Sequence, residues 1–94
     1  MMNYKKVSSP TRGCRQHLDR IRVGYSEGWY NHRKYGITKQ VFNREQSFKV
    51  YAEELGGKDV ISLNYYVTAQ QDALRPCEMS AQKVIHFLTH VQLL

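Results

Sequence analysis

The sequence predicts an α+β fold, a four-stranded antiparallel meander with a C-terminal amphipathic helix packed on one face. Three observations carry that expectation. Apolar residues alternate with polar ones through the middle of the chain, polar or Gly-Gly segments interrupt the alternation at short intervals, and helical spacing takes over after Ser80. Strands joined by short turns form an antiparallel sheet, and a helix with one apolar face needs such a sheet to cover it. Ninety-four residues are enough for one domain. Residues 1–19 read as a basic N-terminal arm or short helix, and 20–94 as a single sheet-plus-helix domain.

Each element has its own signal. Ser9-Pro10 is suited to start a short helix in which Cys14, Leu18 and Ile21 fall at helical spacing, although Gly13 weakens it and the charges fit an extended arm equally well. From residue 20, Ile21, Val23 and Tyr25 alternate with Arg20, Arg22 and Gly24, the pattern of a half-buried strand. Gly28 opens a loop through Lys34, and a second strand runs from Tyr35 to Phe42. Asn43–Gln46 is a polar hairpin connection. The third strand, Ser47 to Glu53, sets Phe48, Val50 and Ala52 against Lys49 and Tyr51. After the Gly56-Gly57 turn, the fourth strand, Val60 to Thr68, sets Ile61, Leu63, Tyr65 and Val67 against Ser62, Asn64 and Tyr66. Residues 69–78 are polar and read as a loop. Ser80 is the N-cap of the last helix, whose stripe is Ala81, Val84, Ile85, Leu88 and Val91, widened by Phe87.

With the helix over Val23, Phe48, Val50, Ile61 and Leu63, the opposite face of the sheet displays Arg20, Arg22, Thr38, Gln40, Lys49, Tyr51, Ser62, Asn64 and Tyr66. Lys39 is a misfit, because it falls on the apolar side with Ile37 and Val41. A bulge, an edge position or a different register would each account for it.

Charge is concentrated in one half. The first fifty residues hold eleven Lys and Arg against three acids (Asp19, Glu27, Glu45), a net charge of +8, whereas the remaining forty-four hold three against five, a net of −2. The basic half also contains Tyr4, Tyr25, Trp29, Tyr30 and Tyr35. Cations displace counterions from phosphates and flat rings stack on bases, so the partner this composition suits is a polyanion with exposed bases. Phosphate contacts are expected from Arg20, Arg22, Arg33, Lys34, Lys39, Arg44 and Lys49. Stacking or interface anchors are expected from Trp29, Tyr30, Tyr35 and Tyr51, three of them in the Trp29–Tyr35 segment, which is rich in the residue types that dominate interfaces.

Other chemistries find little support. There is no phosphate-cradling glycine loop and no nucleophile elbow. Glu53-Glu54 with Asp59 read as a solvated cluster beside a turn, since adjacent carboxylates on a strand point to opposite faces. Cys14-x2-His17 and His86-x3-His90 have ligand spacing, with Cys77 as a further donor, but the pairs are far apart in sequence and no metal site or cofactor is expected. No apolar run approaches the ~18–20 residues of a membrane span. Lys5-Lys6 are followed by no hydrophobic segment, so a cytoplasmic chain with reduced cysteines is expected.

The run Val60-Ile61-Ser62-Leu63-Asn64-Tyr65-Tyr66, the loop with Pro76, and the helix opened by Met79-Ser80 and continued through Val84, Phe87 and Leu88 resemble the C-terminal half of positive-cofactor-four-type single-stranded-DNA-binding domains. The resemblance covers roughly residues 35–92 and is one of pattern. It implies a curved basic and aromatic sheet backed by a helix that dimerises, and no individual binding residue carries over.

The expected function is therefore non-enzymatic binding of nucleic acid or of a ribonucleoprotein complex. The alternative is a phage or mobile-element inhibitor of the anti-CRISPR type, acting by steric occlusion of a host protein. The width of the helix stripe, with Leu93-Leu94 after it, also suggests a homodimer through that helix.

Overall fold

The computed structural model describes residues 13–69 and 72–94. Its first element is helix α1, Cys14–Arg20, which follows Gly13 in a left-handed conformation and buries Cys14 and Leu18. The proposed Ser9-Pro10 start lies outside the described residues, but a short N-terminal helix is present. It displaces the expected start of the sheet: Arg20 ends the helix, and the first strand, β1, is Gly24–Tyr30.

Strand β2 is Arg33–Phe42, β3 is Ser47–Glu54 and β4 is Val60–Tyr66. These three match the alternating segments closely, because an antiparallel sheet covered on one side imposes a period of two. The loop expected from Gly28 to Lys34 shrinks to two residues. Asn31 and His32 both have positive φ, the requirement of a type I′ hairpin, and the strands continue to Tyr30 on one side and from Arg33 on the other.

Two further strands make the sheet six-stranded where four were expected. Strand β5, Ala73–Pro76, pairs with β4 inside the segment read as a loop, and β6, Gln92–Leu93, pairs with β1 after the last helix. The order is β5-β4-β3-β2-β1-β6, with every neighbouring pair antiparallel. Gly28 permits the β1–β6 pairing: a Cβ there would lie 2.9 Å from the Gln92 carbonyl oxygen and 3.1 Å from Val91 Cγ2.

Helix α2, Ala81–His90, is capped by Ser80, whose Oγ accepts from the Lys83 amide at 3.2 Å. Val84, Phe87 and Leu88 are fully buried, and Val91 nearly so. With Cys14, Leu18 and Ile21 from the α1 region they form one core against Ile37, Val50, Ala52, Ile61, Leu63 and Tyr65. Phe87 meets Tyr30 and Tyr35 edge-on at 5.0 and 5.7 Å between ring centroids. Val84, Phe87 and Leu88 of the stripe are thus covered within the chain itself, whereas Ala81 and Ile85 are half-buried. Both helices cover the same face, and among the described residues no helix packs on the other, the open face. Cys14 and Cys77 are not joined in a disulfide.

Candidate nucleic-acid interface

The antiparallel register defines which side chains share the open face, because paired residues point the same way and alternation repeats every second residue. Successive rows across the sheet follow. Trp29 stands beside Lys34; next come Glu27, Gly36, Glu53 and Val60; then Tyr25, Thr38, Tyr51 and Ser62. The fourth row is Gln40, Lys49, Asn64 and Arg75, and the last is Phe42, Ser47, Tyr66 and Ala73.

Five rings are exposed on this face: Tyr25, Trp29, Phe42, Tyr51 and Tyr66, between 39% and 56% accessible. Strands lie about 4.8 Å apart, so Tyr25 and Tyr51, two strands apart in one row, stand roughly 10 Å from each other, as do Phe42 and Tyr66. Tyr25 lies across Gly36. A Cβ at Gly36 would come within 2.7 Å of the Tyr25 hydroxyl oxygen, so this glycine provides the space in which the ring rests.

Charge on the face is segregated along the strands. Both acids, Glu27 and Glu53, stand in one row near the β1–β2 turn. Glu27 accepts from Tyr25 Oη at 2.9 Å and pairs with Lys34 Nζ at 3.2 Å, and these contacts hold its carboxyl below the usual range. The opposite end carries Lys49 and Arg75, with Arg44 in the adjoining Asn43–Gln46 turn. None of the three has a carboxylate partner among the described residues. One end of the face is therefore electrically balanced, while the other presents uncompensated cations among Tyr51, Tyr66 and Phe42.

The eleven residues singled out from the sequence divide into three groups. Trp29, Lys34, Lys49 and Tyr51 share the open face. Arg33 and Arg44 sit in or beside hairpin turns, where Arg33 donates to Glu54 Oε2 at 2.7 Å. The remaining five are elsewhere, for identifiable reasons. Tyr30 and Tyr35 have the opposite strand phase to Trp29 and Lys34, which puts them in the core beside Phe87. Tyr35 donates to Asp59 Oδ2 at 2.6 Å, and burial followed by this contact pushes its phenol well up.

Arg20 ends α1 and donates to the Leu88 carbonyl at 3.2 Å, and Arg22 lies in the link before β1, so neither stands on a strand.

Lys39 is neither bulged nor at a sheet edge. It is 4% exposed beneath α1, and its Nζ donates to the carbonyl oxygens of Leu18 and Ile21 at 2.9 and 3.0 Å. Those acceptors belong to the C-terminal end of a helix, where carbonyls are incompletely satisfied and a cation is favoured; the Leu18 oxygen also accepts from the Ile21 amide at 3.1 Å. Burial pushes the Lys39 ammonium down from the usual lysine range.

Tyr25, Phe42, Tyr66 and Arg75 were not singled out. The signal for Tyr66 is its phase on the fourth strand, shared with Ser62 and Asn64. The others depend on the phase of β1, on the length of β2 and on the existence of β5.

No family model, curated protein or solved structure matches this chain.

Among the described residues no group of three or more His, Cys, Asp or Glu is arranged to hold a metal. Cys14 is buried in the core, Cys77 Sγ accepts from Asn64 Nδ2 at 3.6 Å, and His86 and His90 stack on each other at 3.9 Å between centroids. Their spacing follows from one helix turn. No helix among the described residues is long and apolar enough to cross a membrane.

Proposed function

We propose that this chain is a small non-enzymatic protein that binds single-stranded nucleic acid, alone or within a ribonucleoprotein, on the open face of its sheet. The observation that supports this most is the pairing, towards one end of that face, of three exposed rings with three cations that have no carboxylate partner among the described residues. A duplex hides the flat surfaces of its bases, whereas a single strand can lay them on Tyr51, Tyr66 and Phe42 while its phosphates approach Lys49, Arg75 and Arg44. Gln40, Asn64 and Ser62 stand between the rings and offer amide and hydroxyl groups to base edges.

The expected energetics follow from these groups. Stacking is worth roughly 1–3 kcal/mol per base, so loss of one ring weakens binding about 5- to 150-fold. Three phosphate contacts on a single strand give a slope of log K against log salt of about −2. The test is fluorescence anisotropy with labelled oligonucleotides of about ten residues, single- and double-stranded, between about 50 and 200 mM salt. Lys49→Ala and Arg75→Ala should each flatten the slope by about 0.7, and Tyr51→Ala should weaken binding without changing it. Absence of binding to any naked polymer, or binding without salt dependence, overturns the proposal and directs attention to occlusion of a protein partner.

A further inference from the structure

At the corner where the β1–β2 turn meets the end of α2, a cavity of about 400 Å³ is lined by Trp29, Asn31, His32, His90 and Gln92. Its volume falls in the range of small-molecule sites, about 300–1,000 Å³. The lining has a definite chemistry. Trp29 offers an indole, Asn31 and Gln92 each carry an amide donor and acceptor, and the two histidines carry ring nitrogens.

The tautomer of His90 is fixed by its surroundings. Its Nδ1 lies 3.0 Å from the His86 carbonyl oxygen, which can only accept, so Nδ1 carries the proton. The neighbouring Thr89 hydroxyl has one proton, which it donates to the Ile85 carbonyl at 2.9 Å, and it is left to accept from the same Nδ1 at 2.8 Å. Nε2 of neutral His90 is therefore an acceptor. An aromatic wall combined with amide groups and an imidazole acceptor suits a planar ring that carries both N–H and carbonyl groups on its edge, which is the chemistry of a nucleobase.

The cavity is continuous with the open face. Trp29 belongs to the first row of that face, Gln92 is its partner on β6, and Lys34 Nζ lies 6.0 Å from the Trp29 ring centroid. The site stands at the edge of the sheet, at the opposite end of the face from Lys49 and Arg75. We infer that it receives the terminal base of the single strand that lies on the face, an assignment that rests on the binding mode proposed above.

Trp29 is the sole tryptophan of the chain, so its fluorescence reports on this corner directly. Two ligands are compared, nucleoside 5′-monophosphates and oligonucleotides of about six residues, with oligonucleotide binding followed separately by anisotropy of an end label. Oligonucleotides should quench Trp29 saturably. Mononucleotides should do so at least tenfold more weakly, because the strand supplies effective concentration. His90→Ala and Gln92→Ala, both at exposed positions, should each weaken quenching about fivefold, the worth of one hydrogen bond, with the salt slope unchanged. Lys49→Ala should weaken only the oligonucleotide. Oligonucleotide binding with Trp29 unquenched overturns this inference and leaves the binding proposal standing. Quenching by mononucleotides with no gain from the strand overturns it in favour of a free-nucleotide site. Failure of every oligonucleotide to bind removes the binding proposal and this inference together.

Discussion

Lys39→Met separates a buried structural cation from a phosphate contact. The methionine keeps the aliphatic length that passes over Phe48, where Lys39 Nζ lies 5.3 Å from the ring centroid, but it cannot donate to Leu18 and Ile21. Hydrogen bonds from a charged donor contribute about 1.5–3 kcal/mol each, so two amount to roughly 4 kcal/mol. Removing the ammonium also removes its desolvation cost, which is why replacing buried ions by apolar groups is often close to neutral. The Ile21 carbonyl tips the balance. The Leu18 oxygen keeps the Ile21 amide as a donor at 3.1 Å, but the Ile21 oxygen is left as an unsatisfied buried acceptor, which costs about 1–3 kcal/mol. The expected net destabilisation is about 2 kcal/mol, a large share of the total for a small domain. In urea, with a slope of about 1–2 kcal/mol per molar, the unfolding midpoint should fall by roughly 1–2 M. Oligonucleotide affinity and its salt slope, measured where both proteins are folded, should not change. A variant of unchanged stability whose salt slope flattens by about 0.7 would show that Lys39 reaches phosphate, and the placement beneath α1 would be refuted.

Further outcomes follow from the same contacts. Phe87→Ala, which empties the centre of the Tyr30–Tyr35 ring cluster, should cost about 3–5 kcal/mol and leave the chain largely unfolded at room temperature by circular dichroism. At Asp59, burial alone would raise the carboxyl pKa, but hydrogen bonds from Lys83 and Tyr35 outweigh it and hold the group below its ordinary value. Its stabilisation is therefore present above about pH 4 and is lost as pH falls through the lower folded pKa. Asp59→Asn should reduce stability near neutrality by about 1–2 kcal/mol and flatten the acid limb of the urea midpoint against pH. Arg20→Ala removes only the bond to the Leu88 carbonyl, so it should cost about 1 kcal/mol in urea unfolding and leave the salt slope of oligonucleotide binding intact.

The middle of the sheet and the last helix were legible because one physical rule dominates each of them. In β2, β3 and β4 the inward residues Ile37, Phe48, Val50, Ile61 and Leu63 are buried in the core while their outward neighbours are not, so the alternation survives in the sequence. Strand β1 broke that rule. Its inward residues are Ser26, Gly28 and Tyr30, and its outward ones include Tyr25 and Trp29, so hydropathy gives the wrong phase. The phase of β1 comes from its register with β2 and from the close approach of β6 at Gly28. The short strands β5 and β6, of four and two residues, were invisible because they exist through pairing with distant segments and carry no periodic pattern of their own.

The same division runs through the candidate site. Composition and order established that the N-terminal half is strongly basic and aromatic, that the sheet has one covered face, and that one amphipathic helix helps cover it. They did not establish which cations stand among which rings. Lys39, Arg20, Tyr30 and Tyr35 belong to the basic half yet serve helix ends and the core, whereas Arg75 comes from the acidic half and joins Lys49 on the open face. Hydropathy records how much of a side chain leaves water. The neighbours a charge or a ring meets depend on register and on helix placement, which contacts between residues far apart in the chain decide.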